Sequence, residues 1–308
     1  MSFSSECKLA LIREEESKDC CKLAELASFM FGCGALLFEG KGRFAVKLSF
    51  EYAALARRAF THIRQMFSTT PVIKRVRHER FGGKYQYSLH IGSANASPLL
   101  VALKMVDYDG NLISMLPQYV PQKTCCKRAF VRAAFLVCGS VQDPVSGYHL
   151  ELVSQSEQFL KILKRICKSF GVECRQSLRR ESSLLYIKKA DDISDFLAII
   201  GADQAVMHLE DTIIKKQVLN SINRALNCDT SNINKTLVAA QKQLEDIALL
   251  QQHDALPESL QTFAALRIEN PELSLEQLGQ MLVPPLSKSG VNHKMRKISA
   301  LAKQYISE

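Results

Sequence analysis

Two stretches of this chain match one another without a gap: CCKLAELASFMFGCGAL at residues 20–36 and CCKRAFVRAAFLVCGSV at 125–141, an offset of 105. Six of the 17 aligned positions are identical, namely both leading cysteines, Lys22 with Lys127, Ala24 with Ala129, Cys33 with Cys138 and Gly34 with Gly139. A duplication constrains the fold more than any local propensity, because both copies must form the same unit and the units must find a way to bury their apolar faces.

The flanks repeat as well. Alternating runs, FAVKLSF (44–50) and YHLELVS (148–154), read as half-buried strands, and each leads into a helical pattern, EYAALARRAFTHIRQMF (51–67) and SEQFLKILKRICKSF (156–170). Two further strand-like runs follow in each half: PVIKRVRH with YQYSLHI, divided by Gly82-Gly83, and VECRQSL with SLLYIKK, divided by Arg180 to Ser182. A helix closes each half, Pro98 to Met105 and Ile193 to Ile200. The order α-β-β-α-β-β-α, twice, predicts an α+β fold. Small residues at Ala24, Ala27 and Ser28, and at Ala129, Ala133 and Ala134, let the two opening helices approach closely. The expected result is a pseudo-two-fold domain with two four-stranded antiparallel sheets.

This arrangement resembles the LAGLIDADG homing endonucleases, with FVRAAFLVCGSV (130–141) in the place of their signature helix. The resemblance implies a metal-binding acid just before the glycine at the foot of each signature helix. Here those positions are Cys33 and Cys138. A hard Mg²⁺ ion needs oxygen ligands, and a thiol is soft and mostly protonated, so nuclease chemistry is disfavoured and no catalytic residue is expected. A nuclease using other carboxylates would have to draw on Asp143 and Glu151, and at the repeat offset Asp143 meets Phe38.

Charge points to polyanions. The net charge of +9 lies wholly ahead of residue 205, since from Ala205 onward 11 basic residues balance 11 acidic ones. Close to basic residues such as Arg57, Arg58, Arg64, Lys74, Arg75 and Arg77 lie Phe60, Phe67, Phe81, Tyr85 and Tyr87. Core packing with a solvated basic edge is the preferred reading of that mixture, and stacking on nucleic acid is the alternative.

Other features exclude more than they suggest. No run of 18 apolar residues exists, and the first 25 residues are charged throughout, which predicts a cytoplasmic protein with no membrane partner. The ten cysteines are expected to be reduced. The adjacent pairs Cys20-Cys21 and Cys125-Cys126 lack the CxxC spacing of zinc ribbons and read as buried small hydrophobes, with a metal or redox role as the alternative. Seven scattered histidines support neither a metal site nor a catalytic triad, and Gly32-Cys33-Gly34 and Gly40-Lys41-Gly42 read as turns. No cofactor and no metal are expected.

Past a hinge at Ile200-Gly201-Ala202, Val206 to Ala225 reads as a helix, the polar string NCDTSNINK (227–235) as an interruption, and Asn232 to Gln252 as a second, connecting helix. The dense amides around the interruption suggest capping and turn hydrogen bonds, or phosphate contacts. Three shorter helices follow, at 257–270, 274–282 and 287–305, the pattern of a helix-turn-helix. Ser274 with Gln277 forms a capping box, and Ser287 caps the last helix. Leu275, Leu278, Met281 and Leu282, then Val291, Met295, Ile298 and Leu301, are the expected core positions. No acid occurs from Ser287 to Ser307, and the far face of that helix carries Lys288, Ser289, Asn292, His293, Arg296 and Lys297. With Ser274, Ser287 and Lys294, these are the candidate DNA-binding residues, suited to phosphates at the helix start and to base edges in a major groove. A protein-interaction bundle is the alternative reading.

Read end to end, the chain resembles the bacterial WhiA family of DNA-binding regulators. The resemblance rests on MSFSSECK, CCKLAELA, CCKRAFVRAAFLVCGSV, DFLAIIGAD, SINRALNCDTSNINKT and NPELSLEQLGQMLVPPLSKSGVNHKMRKI. It implies a degenerate LAGLIDADG-like domain tethered to a helix-turn-helix, and sequence-selective binding of double-stranded DNA at the nucleoid. It also implies a partner such as another transcription factor, with roles in cell division and chromosome segregation and, in filamentous actinobacteria, sporulation. The domains are expected at 1–110 and 111–204 for the two halves, 205–255 for a connecting segment and 256–308 for the helix-turn-helix. The alternatives to a regulator are a metal-dependent nuclease and an interaction scaffold.

Overall fold

The computed structural model of the chain describes residues 2–14, 16–40, 42–78, 84–115, 118–179 and 182–306. The divisions expected at Gly82-Gly83 and Arg180, the turn residue Lys41 and the ring of Phe81 lie outside the described residues. The chain forms two compact units, divided between Lys215 and Lys216.

The first unit opens with α1 (Phe3–Arg13), whose first turn is closed by the Ser2 hydroxyl accepting from the Ser5 N–H at 3.3 Å. The charged N-terminal sequence had given no element there. The first repeat is α2 (Asp19–Cys33), β1 (Gly34–Phe38), β2 (Phe44–Phe50), α3 (Ala53–Phe67), β3 (Val72–His78), β4 (Lys84–Ile91) and α4 (Ser93–Ala102). The second is α5 (Thr124–Cys138), β5 (Gly139–Val141), β6 (Leu150–Ser154), α6 (Glu157–Ser169), β7 (Arg175–Arg179), β8 (Ser182–Ile187) and α7 (Ala190–Ile200). The two sheets are antiparallel and share one topology, β1-β2-β4-β3 and β5-β6-β8-β7.

Register sets which face of each sheet is covered. Leu48 pairs with Leu89 and Val46 with Ile91, all four buried, and in the second sheet Leu150 pairs with Ile187 and Leu152 with Leu185. Their neighbours along each strand therefore project from the opposite face. Helices α2 and α5 pack on one another, and their small residues Ala24, Ala27, Ala129, Ala133 and Ala134 are all buried. Edge-on contacts among Phe31, Phe130 and Phe159, with centroids 5.7–6.5 Å apart, join the halves, each such pair adding about 0.5–1.5 kcal/mol beyond the area it buries.

The closing helices differ from expectation at their ends. Helix α7 begins at Ala190, not Ile193, and α4 runs from Ser93 to Ala102, not from Pro98 to Met105, and carries Pro98 inside it. The missing N–H forfeits one hydrogen bond, but burial of Leu99, Leu100 and Leu103 on the same helix end outweighs it.

The larger correction concerns α8 (Asp203–Gln252), a single helix of 50 residues running through the polar string expected to interrupt it. That string contains neither Gly nor Pro. Side chains in and just after it bond back within the helix instead of competing with it: Asn232 Nδ2 reaches Cys228 Sγ at 3.7 Å, and Thr236 Oγ1, on the residue after the string, donates to the Asn232 carbonyl at 2.9 Å. The amides at Asn220, Asn223, Asn227, Asn232 and Asn234 accordingly stand exposed along a helix and cap nothing.

The second unit holds the end of α8 with α9 (Glu258–Glu269), α10 (Leu275–Met281) and α11 (Lys288–Ile306). Ile247 and Leu250 of α8 complete a core with Leu260, Phe263, Leu282, Val291, Met295, Ile298 and Ala302. Among the described residues no helix is long and apolar enough to cross a membrane.

Candidate nucleic-acid interface

The geometry of α10 and α11 follows from caps and one close approach. The Ser274 hydroxyl accepts from the Gln277 N–H at 3.3 Å while the Gln277 side-chain oxygen accepts from the Ser274 N–H at 2.9 Å, the reciprocal box expected from the spacing. At the start of α11 the Ser287 hydroxyl accepts from the Gly290 N–H at 3.3 Å. Between the helices the chain passes so near α10 that the Leu286 N–H donates to the Gly279 carbonyl at 2.9 Å.

Val291, Met295 and Ile298 of α11 are buried, spaced by four and three, and Leu301 is half-buried. The helix therefore presents the opposite stripe outward, and Lys288, Ser289, Asn292, His293, Arg296 and Lys297 are all exposed. Among the described residues none of these six side chains has a hydrogen bond or ion pair. Lys294 differs: it lies off the stripe, half-buried, and donates to the Ser259 carbonyl of α9 at 3.3 Å. Met281, expected in the core, is 50% exposed, because α10 ends there and Leu282 turns inward in its place.

In the first unit, the open face of the first sheet gathers Lys47, His90 and Lys74. Lys47 pairs directly with His90 across β2 and β4, and Lys74 sits opposite Ser88, two residues from His90. Burial, then Lys74, then Lys47, hold the His90 imidazolium below its ordinary range. At the edge of this sheet the Arg75 guanidinium lies 4.4 Å from the centre of the Tyr85 ring. Arg58, grouped with these cations by sequence, is instead buried and bound to Glu25 at 2.9 Å. On the second sheet, the His149 ring stacks on Tyr186 at 6.0 Å, with Arg175 paired across from that tyrosine.

The feet of the signature helices carry no carboxylate. Burial pushes both the Cys33 and the Cys138 thiol up to about 12, and Cys138 Sγ donates to the Ala134 carbonyl at 3.1 Å. Beside Cys138 lies buried Lys8 of α1, a residue sequence reading passed over; burial holds its ammonium below the ordinary range, opposed by Glu51, Cys138 and Cys7. Two protonated thiols, one of them beside a lysine, do not fit a hard divalent ion. Asp143 and Glu151 are engaged separately. Asp143 accepts from the Val145 N–H at 2.9 Å within its turn, and Glu151 meets Ser140 and His149, both at 3.3 Å.

At the other end of the same helices the two adjacent cysteine pairs, read separately from the sequence, come together: the Sγ atoms of Cys20, Cys21, Cys125 and Cys126 all lie within 4.8 Å of one another. The repeat contained the signal, since two helices packed with like ends together bring like residues together.

Comparison with known proteins agrees with this geometry. Three family models match in sequence order: the WhiA N-terminal LAGLIDADG-like domain at residues 19–106, the WhiA LAGLIDADG-like domain at 127–219 and the WhiA C-terminal HTH domain at 222–302. Curated relatives named "Probable cell division protein WhiA" include those of Alkaliphilus metalliredigens (35% identical, covering 98% of each chain) and Brevibacillus brevis (37%, covering 98% of this chain and 96% of that one). The crystal structure of full-length WhiA from Thermotoga maritima shares the fold over 99% of both chains, with a TM-score of 0.61 at 23% identity. With duplicated sheets, a helix-turn-helix later in the sequence and relatives of this identity along its full length, the chain belongs to the WhiA family.

Proposed function

We propose that this chain is a sequence-selective DNA-binding protein, a transcriptional regulator acting in cell division and chromosome segregation, and that it has lost the nuclease activity of the LAGLIDADG enzymes. The observation that carries the reading is the unpartnered stripe of Lys288, Ser289, Asn292, His293, Arg296 and Lys297 on the third helix of a helix-turn-helix. Asn, His and Arg can discriminate base edges in a major groove, while the lysines and the capped helix start take phosphates, with Ser274 and Ser287 at the cap positions. Lys294, tied to Ser259, serves chiefly to hold α11 against α9. The basic open face of the first sheet supplies further phosphate contacts or engages another transcription factor. Sporulation control in some relatives would draw on the same DNA binding. The protein would work in the cytoplasm at the nucleoid, without a cofactor. Its working parts would be the halves at 1–110 and 111–204, a connecting segment at 205–255 and the reader at 256–308.

The test is a selection of genomic fragments by full-length protein at several salt concentrations, followed by sequencing. Wild type should enrich a motif. Arg296→Ala should weaken binding by about 1–3 kcal/mol with relaxed preference at one position, Lys297→Ala should lower affinity evenly and shallow the salt slope by about one, and Lys294→Ala should do less than either. Enrichment unchanged in an Arg296→Ala/Lys297→Ala double variant would remove α11 as the reader.

A further inference from the structure

The cysteine cluster at the start of the signature helices has no part in that reading. Cys20 and Cys21 occupy the second and third positions of α2, and Cys125 and Cys126 the same positions of α5. Cys125 Sγ and Cys126 Sγ are 3.9 Å apart, and all four sulfurs lie within 4.8 Å of one another. A tetrahedral zinc with Zn–S bonds of about 2.3 Å holds its sulfurs about 3.8 Å apart, so this separation is met by one pair and approached by the rest. Two of the thiols are buried and two half-buried, which leaves a route for an ion from one side.

We propose that Cys20, Cys21, Cys125 and Cys126 form a Cys₄ site for a structural zinc ion that ties the two halves of the duplicated domain together. An all-thiolate donor set selects a soft or borderline ion over magnesium, calcium or manganese. Four protein ligands close the coordination sphere, as in structural sites. Each ligating thiol gives its proton to the buffer, so the filled site carries net negative charge. Two helix N-termini face that charge, and both are capped by lysines, Lys18 and Lys123, whose side chains make no capping hydrogen bond. The ion would link residues 105 positions apart, shrinking the unfolded ensemble much as a cross-link does. It is distinct from the divalent site of the nucleases, which belongs to the opposite end of these helices.

The experiment uses full-length protein purified under reducing conditions without chelator. Elemental analysis should find about one zinc per chain, and replacement by cobalt(II) should give the intense visible bands of tetrahedral sulfur coordination. Bound zinc should protect Cys20, Cys21, Cys125 and Cys126 from alkylation, mapped by mass spectrometry, while exposed Cys228 reacts as before. Cys20→Ser and Cys125→Ser should each lose stoichiometric metal, and Cys33→Ser should keep it. The wild-type cobalt spectrum and protection map stand even where a serine variant fails to fold. Sub-stoichiometric zinc with no cobalt bands, protection spread evenly over all cysteines, or a disulfide between the pairs in metal-free protein would each overturn the assignment.

Discussion

Gly32 of α2 leaves the space that Val137 of α5 fills, and the two are the same position of the internal repeat. A Cβ at Gly32 would stand 2.7 Å from Val137 Cγ2 and 3.3 Å from the Phe159 ring. The helix crossing is therefore asymmetric, small against large, although the copies that make it are homologous. Gly32→Ala should gain up to about 1 kcal/mol of helix propensity and lose about 1–3 kcal/mol to overpacking. A net fall in the urea midpoint is expected, and Val137→Ala added to it should restore more than the sum of the single changes by at least about 0.5 kcal/mol. Strictly additive effects would show that the two residues do not touch.

Glu25 marks a second divergence between the copies, since the matching residue is Phe130. Its carboxylate, fully buried, takes Arg58 Nη1 at 2.9 Å and His62 Nε2 at 2.8 Å, and Arg58 Nη2 goes on to the carbonyls of Ile12, at 2.6 Å, and Glu14. The triad pins the end of α1 to α2 and α3. Glu25→Gln leaves a buried guanidinium without its counter-charge and should cost about 3–5 kcal/mol, read in the denaturant midpoint of the first unit. A loss below about 1 kcal/mol would mean that Arg58 escapes to solvent when its partner is gone.

The duplication made most of the first unit legible in advance, because a strand such as β2 was seen twice, as FAVKLSF and as YHLELVS, and each copy corroborated the other. Single-copy segments were harder. Helix α8 was divided in two on the strength of Asn, Ser and Thr, which favour turns when their side chains bond the backbone locally but not when, like Thr236, they bond one helical turn back. The outward stripe of α11 followed from spacing, but the tether of Lys294 to Ser259 did not, since it depends on where α9 lies in space. The cysteine cluster was missed for a related reason: ligand spacing was judged along the chain, and the convergence is between copies.

The cationic face of the first sheet can be tested through His90. Its folded value is depressed below the ordinary histidine value of about 6.5. The unfolded chain then binds more protons than the folded one between the two values. Its contribution to stability is complete above the unfolded value and is lost as pH falls through the folded one. Proton NMR of the His90 ring should give a midpoint below 6.5, and Lys74→Gln and Lys47→Gln should each raise it. DNA phosphates placed on this face would raise it further, so a midpoint that ignores added DNA would show that this face does not carry the phosphate contacts.

The turn of the helix-turn-helix depends on a residue with no side chain. A Cβ at Gly279 would sit 2.3 Å from the Leu286 carbonyl oxygen and 2.9 Å from Val291 Cγ2. The first of these is backbone held in place by its own N–H bond to Gly279, so neither side can yield without moving α11 off α10. Gly290 offers the control: it lies in α11, and its nearest neighbours would be 3.6 Å away, an ordinary contact. Gly290→Ala should therefore be neutral or gain up to about 1 kcal/mol, while Gly279→Ala should lose helical signal from the second unit and DNA affinity together. The box at Ser274 is a milder probe of the same geometry, and Ser274→Ala should cost about 0.5–2 kcal/mol. Circular dichroism with a binding isotherm on each variant decides the matter. Full affinity in Gly279→Ala would mean that the angle between α10 and α11 does not govern how the exposed stripe meets DNA.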